Sequence, residues 1–77
     1  MKLHKLIGKH VELTRRGNEH LGLCPFHKER TPSFVVWRKA QRFHCFSCGA
    51  DGDAISWLMQ VEGLGYTQAV KRWKKLS

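Results

Sequence analysis

Two pairs of side chains that can bind a metal have matching spacing: Cys24 with His27, and Cys45 with Cys48. Two ligands separated by two residues can bind one ion, because a tight turn directs both side chains inward. Two such turns complete a tetrahedron. Thiolate and imidazole ligands favour Zn2+, and three sulfurs with one nitrogen leave no coordination position for an activated water. The sequence therefore predicts one structural zinc ion bound by Cys24, His27, Cys45 and Cys48.

The nitrogen ligand has to be chosen from five histidines. His44 adjoins Cys45, but neighbouring residues on a strand point to opposite faces of a sheet, which disfavours His44. His27 is favoured because its spacing from Cys24 matches the second pair. The other three are expected to be surface or core residues: His4, His10 and His20. The alternative to a metal site is three buried cysteines with an unrelated histidine.

The number of cysteines bears on the compartment. Three cysteines cannot all pair in intramolecular disulfides, and small secreted scaffolds carry a larger, even number. We therefore expect a reducing, cytosolic location. Residues 1–8 contain no long apolar run that would indicate a signal peptide. No stretch approaches the roughly 18 apolar residues of a membrane helix, so no membrane association is expected.

Two hairpins are predicted to bring the metal-binding pairs together. Alternating residues at 11–14 indicate a strand, and a turn at 16–19 would lead to a returning strand at 20–23. The β-branched and aromatic residues at 33–37 indicate a strand that pairs with 42–46. In this second hairpin, one face is expected to carry Phe34, Val36, Phe43 and Cys45, and the other Val35, Trp37, Arg42 and His44.

The last third of the chain changes to a helical period. Asp53 can cap a helix over residues 54–62, which glycines at 63 and 65 would end. Thr67 can cap a second helix that runs to about Lys75. Trp57 and Trp73 lie on the apolar sides of these helices and are expected in the core.

The fold class is therefore predicted to be α+β, with one domain at residues 11–77. Residues 1–10 are basic and are expected to form one helical turn or a mobile arm. An apolar core of this size supplies only about 3–5 kcal/mol. Structural zinc sites contribute about 10–16 kcal/mol in peptides, so folding and zinc binding are expected to be one event.

Two long runs resemble the zinc-binding domain of bacterial DnaG-type primases: GLCPFHKERTPSF at 22–34 and FHCFSCGADGDAI at 43–55. Residues 7–13 are similar to the segment that leads into the first strand of that family. The resemblance implies a zinc ribbon, with about four antiparallel strands, C-terminal helices packed on them, and the same four ligands. Two departures are visible. Ser47 stands where the family often has glycine, and the amino-terminal helix is shortened.

In the family this domain engages single-stranded template and helps choose where a primer starts, while a separate catalytic domain performs synthesis. The resemblance therefore implies a non-catalytic DNA-binding module that acts with a primase catalytic subunit or another replication protein. The net charge of +8 suits a nucleic-acid partner. Six scattered acidic residues cannot be assigned to a magnesium centre for nucleotide chemistry.

A sheet with aromatic and basic side chains can stack bases and pair with phosphates. The candidate contacts to single-stranded DNA are Arg30, Trp37, Arg38, Lys39, Arg42 and His44. The alternative function is a zinc-stabilised adaptor or regulator in a replication or mobile-element complex, with the basic helix at 71–75 docked on an acidic partner. Both an excised domain and a stand-alone protein fit the sequence.

Overall fold

The computed structural model of the chain describes residues 1–26 and 32–76. Five strands form one antiparallel sheet in sequential order, and helices cover one of its faces. The strands are β1 (Thr14–Arg16), β2 (Glu19–Gly22), β3 (Phe34–Trp37), β4 (Arg42–Cys45) and β5 (Asp51–Gly52). The helices are α1 (Leu3–Ile7), α2 (Ala54–Val61) and α3 (Tyr66–Leu76). The predicted α+β zinc ribbon is confirmed, with a fifth strand of two residues beyond the four expected.

The first hairpin begins later than predicted. β1 pairs with β2 from Thr14 onward, across a turn in which Gly17 has φ of 63°. Of the strand predicted at residues 11–14, only Thr14 lies in β1, and the prediction is wrong for residues 11–13, because they pack onto Gly22 instead of extending β1. A Cβ atom at Gly22 would lie 2.6 Å from the carbonyl oxygen of Glu12 and 3.1 Å from a methyl group of Val11. The close approach buries Val11 in the core.

In the second hairpin, the side chains lie on the two faces of the sheet as predicted. β3 and β4 pair Phe34 with Cys45 and Val36 with Phe43, and all four side chains are fully buried. The intervening pairs place the other set on the opposite face: Val35 with His44, and Trp37 with Arg42. The alternation predicted for these two strands is therefore confirmed.

The predicted cap of α2 is present, since a carboxylate oxygen of Asp53 accepts a hydrogen bond of 3.0 Å from the backbone N–H of Ser56. The cap places Trp57 in the middle of the core, where its ring is fully buried. Its centroid lies 5.6 Å from that of Phe43 and 6.0 Å from that of Phe34. Such edge-to-face and tilted aromatic pairs add about 0.5–1.5 kcal/mol each beyond their buried area.

Helix α3 begins two residues earlier than predicted, so Thr67 lies inside its first turn and does not cap it. The side-chain oxygen of Gln68 accepts a hydrogen bond of 3.1 Å from the backbone N–H of Gly65, which is half of a capping box. Ala69 is fully buried, and Trp73 is partly buried against the core. No helix in the described part of the chain is long and apolar enough to cross a membrane.

The amino terminus is packed, in contrast to the mobile arm that was one of the two expectations. The helical turn that was the other expectation is present as α1, and Leu3, Leu6 and Ile7 are buried in the core. α1 contacts both β3 and α2. Residues 3–7 therefore belong to the same packed unit as the sheet, because burying their three apolar side chains removes apolar surface from water.

Candidate metal centre and outer sheet face

The three cysteine sulfurs converge at one end of the sheet. Cys24 follows β2, Cys45 ends β4, and Cys48 lies in the turn before β5. The three sulfur atoms all lie within 4.8 Å of one another, and the Sγ atoms of Cys24 and Cys48 are 3.5 Å apart. Two sulfurs at the corners of a tetrahedron with Zn–S bonds of about 2.3 Å would be about 3.8 Å apart. The geometry therefore fits a zinc ion.

The turn that holds the second cysteine pair depends on one glycine. The backbone N–H of Gly49 donates to the carbonyl of Cys45 at 2.8 Å, and Gly49 has φ of 80°, which favours glycine. Cys45 N–H donates to the carbonyl of Ala50 at 2.7 Å. Ser47 does not have positive φ. The departure from the family at this position therefore carries no backbone strain.

The electrostatics of the site suit a cation. The pKa of the Cys24 thiol is raised to about 12, chiefly by burial and also by the nearby thiols of Cys45 and Cys48, against an opposing backbone hydrogen bond from Phe26. Three thiolates at this separation would repel one another strongly without a compensating charge. A bound dication instead stabilises the thiolate form, so its thiol ligands lose their protons. Zinc binding is therefore coupled to proton release.

Two hydroxyl groups lie against the fully buried sulfur. The Oγ atom of Ser47 is 3.2 Å from Cys45 Sγ, and the Oγ atom of Ser33 is 3.8 Å from it. The two hydroxyls are also hydrogen bonded to each other at 3.0 Å. A hydroxyl in this position can donate to a thiolate and orient it toward the metal.

The predicted fourth ligand, His27, lies outside the described residues. Within the described ranges, no histidine joins the three cysteines. His44 points to the opposite face from Cys45, with its Nδ1 atom 3.7 Å from a carboxylate oxygen of Asp51. His4 and His20 stack on each other with ring centroids 4.4 Å apart. A tetrahedral site with three sulfur ligands needs one more donor, and His27 is proposed for that position.

The sheet face turned away from the helices, the outer face, carries a cluster of three rings. This aromatic platform consists of Trp37, His44 and Phe46. The centroid of His44 lies 6.4 Å from that of Trp37 and 4.5 Å from that of Phe46. Phe46 is 65% exposed. The indole N–H of Trp37 donates to a carboxylate oxygen of Glu19 at 2.8 Å, which holds the ring in one orientation.

The predicted nucleic-acid residues divide between two places. Trp37, Arg42 and His44 lie together on the outer face, whereas Arg38 and Lys39 lie in the turn after β3, at the end away from the cysteines. Arg30 lies outside the described residues. Phe46 was missed by the sequence analysis. Its position two residues beyond His44 was the available signal, because alternate residues of a strand share a face.

Three comparisons relate the chain to known proteins. The model of the CHC2 zinc finger, the DnaG zinc ribbon, matches residues 1–76. A DNA primase of Geobacillus stearothermophilus is 52% identical over 67 residues, which are 87% of this chain and 11% of that protein. A DNA primase of Legionella pneumophila is 49% identical over 73 residues, which are 95% of this chain and 13% of that protein. The chain thus spans about an eighth of the length of these relatives.

A solved structure agrees with this match. The crystal structure of Aquifex aeolicus primase, comprising zinc-binding and RNA polymerase domains, superposes with a TM-score of 0.87 at 35% identity. The match covers 97% of this chain and 19% of that chain. Together with the cysteine cluster, these similarities identify the cofactor as one structural zinc ion.

Proposed function

Because this chain belongs to the CHC2 zinc finger family of DnaG-type primases, we propose that it is a zinc-dependent module that binds single-stranded template DNA during primer synthesis. Four ligands hold the zinc in this proposal: Cys24, His27, Cys45 and Cys48. The ion joins the end of β2 to the end of β4 and so supports the sheet whose outer face contacts the DNA. It supplies no reactive position, because the coordination sphere is complete.

The observation that carries the proposal is the aromatic platform. Unstacked bases can pack on Trp37 and Phe46, since every base has a π-face, and this stacking is tolerant of sequence. Arg42 is exposed beside Trp37 on the same face and can pair with a phosphate. Arg30 remains a proposed contact that lies outside the described residues. Double-stranded DNA keeps its bases stacked internally, so the platform favours single strands.

We further propose that the chain acts with a separate catalytic subunit or domain and is not itself an enzyme. Within the described residues, the cysteine cluster is the one group of three or more potential metal ligands. Nucleotide transfer requires carboxylates that hold magnesium at the phosphates, and such a centre would be supplied elsewhere. A cytoplasmic location follows from a role in replication and from zinc ligands that must stay reduced.

An oligonucleotide titration tests the proposal. The zinc-loaded protein is titrated into fluorescently labelled single-stranded and double-stranded oligonucleotides at low salt, with and without chelator. Phe46→Ala and Trp37→Ala are expected to weaken single-strand binding about tenfold, because stacking is worth about 1–3 kcal/mol per base. Tyr66→Ala is the matched control, since Tyr66 is an exposed aromatic residue on α3. Absence of binding, or equal affinities for all variants, contradicts the proposal.

The adaptor remains the second candidate, and α3 is the observation that favours it. This helix buries only Ala69 fully, and it exposes Lys71, Lys74 and Lys75 to solvent. A basic, exposed helix can dock on an acidic protein surface. A pull-down from nuclease-treated extract separates the two functions, because a protein partner survives nuclease treatment and a partner bridged by DNA does not.

A further inference from the structure

A basic depression lies at the end of the sheet away from the cysteines. We call it the turn-end notch; it is an open cavity of about 470 Å3 lined by Lys2, Asn18, Arg38, Lys39 and Gln41. Three of these five residues are cationic, and none is acidic. Within residues 1–26 and 32–76, none of the three cationic side chains has an ion-pair or hydrogen-bond partner. The notch therefore concentrates positive charge that the protein does not neutralise.

Hydrogen bonds hold the walls of the notch in place. The side-chain oxygen of Gln41 accepts from the backbone N–H of Leu3 at 2.9 Å, and its amide nitrogen donates to the carbonyl of Arg38. Gln41 has φ of 54°, an uncommon conformation for a residue other than glycine. The backbone N–H of Arg38 donates to the carbonyl of Asn18 at 3.0 Å. These contacts tie both turns to the start of α1, so the backbone that carries the cations is preorganised.

We propose that the turn-end notch is a subsite for a phosphate group of the single strand that stacks on the aromatic platform. This inference rests on the proposed function. Arg38 directly follows Trp37, and Trp37 pairs with Arg42 across the hairpin. The four steps between residues from Arg42 to Phe46 span about 13 Å at 3.3 Å each, so a strand laid along the platform leads its backbone toward the notch. Arg38 and Lys39 can then share one phosphate.

Two histidines report on the charge in the notch: His20, which is buried, and His4, which is partly buried. Burial lowers the pKa of His4 and of His20, and positive charges that include Arg38 lower both further. A phosphate in the notch would cancel part of this charge and raise the pKa of both histidines. The change can be followed by NMR of the ring protons.

The test compares two double variants with the same loss of charge. Arg38→Gln with Lys39→Gln removes cations from the notch, and Lys74→Gln with Lys75→Gln removes the same charge from α3. Affinity for oligothymidylate is measured as a function of salt for zinc-loaded proteins. We expect the notch variant to lose about tenfold in affinity, as for one or two hydrogen bonds to a charged group. Its logarithmic salt slope should fall by about 0.7 for one lost phosphate contact.

The source of the phosphate is tested with oligothymidylates that carry or lack a 5′-phosphate. If a 5′-phosphate raises the affinity of the unmodified protein but not that of the notch variant, the notch binds a terminal phosphate. If the notch variant has a lower salt slope and the 5′-phosphate adds no affinity, the notch binds an internal phosphodiester. Either result supports the subsite. Equal losses of affinity and equal slopes in the notch and α3 variants overturn it, because only net charge would then matter.

A titration of the 15N-labelled protein with inorganic phosphate separates this inference from the proposed function. Saturable shifts of the backbone amides at 38–41, in a protein that binds no oligonucleotide, would show that the notch binds phosphate but would refute both the DNA-binding proposal and the single strand as the source of that phosphate. Oligonucleotide binding without shifts in these amides, from either probe, would refute the subsite and leave the platform as the binding surface.

Discussion

Replacing Cys48 by serine should remove a zinc ligand without disturbing the packing of the core. Cys48 is exposed, so the substitution opens no cavity, and a surface change away from a special feature costs within about 0.5 kcal/mol. A structural zinc site contributes about 10–16 kcal/mol in all, so one of four ligands accounts for about 2.5–4 kcal/mol on an equal division. This share is comparable to the whole contribution of the apolar core of so small a domain, about 3–5 kcal/mol. We therefore expect Cys48→Ser to lower the free energy of unfolding by about 2.5–4 kcal/mol and to lower the melting temperature.

The assay follows thermal unfolding by circular dichroism and tryptophan fluorescence, together with the zinc content of the purified protein. Trp57 is fully buried, so its emission reports directly on the core. Cys48→His is the matched control, because an imidazole can replace a thiolate as a zinc ligand. It should retain more zinc and more stability than Cys48→Ser. In excess chelator, the wild type and both variants should be equally unfolded.

Two results would refute this reasoning. A zinc-loaded Cys48→Ser protein that melts at the wild-type temperature would show that Cys48 is not a ligand. A chelated wild type with an unchanged cooperative melt would show that the core alone is sufficient for the fold.

Three further predictions follow from single contacts. Ser47→Ala should weaken zinc affinity at least tenfold in a competition with a metallochromic chelator, since its hydroxyl lies 3.2 Å from a ligand sulfur; an unchanged affinity would contradict this. The pKa of His4 and of His20 is lowered on folding, so the stability they contribute is present above pH 6.5 and is lost as the pH falls below it. Replacing both histidines by glutamine should flatten the pH dependence of the melting temperature between pH 7 and 5, at constant zinc. An equally steep dependence in the variant would show that these histidines do not cause it. Gly22→Ala should destabilise the domain by about 1–3 kcal/mol in denaturant unfolding, because the new Cβ would meet the carbonyl of Glu12 at 2.6 Å; a neutral effect would show that the segment can move away.

Much of the fold was accessible from short windows of sequence. The alternation in β3 and β4 correctly separated Phe34 and Val36 from Trp37, because a strand places successive side chains on opposite faces. Asp53 correctly marked the start of α2, since its side chain can satisfy a free N–H of the first turn. The spacing of the cysteines correctly indicated that all three meet in one cluster.

Other features depended on partners distant in sequence. The strand predicted at residues 11–14 begins only at Thr14, because residues 11–13 pack closely on Gly22, and the alternation of these residues contains no sign of that neighbour. The hydrogen bond from Leu3 to Gln41 joins residues 38 positions apart and places Lys2 beside Arg38. Residues 1–10 look polar and short, although the three apolar side chains of α1 fill the core above the sheet.

Ligand spacing, side-chain alternation and capping act within a few residues, so the metal chemistry, the strand faces and the start of α2 could be read from the sequence alone. The tertiary structure was needed to show that the rings of Trp37, His44 and Phe46 pack within 6.4 Å of one another, and that Lys2 at the amino terminus shares one notch with Arg38 and Lys39 in the turn after β3. These arrangements result from pairing and packing between residues far apart in the chain, and no local pattern encodes such contacts.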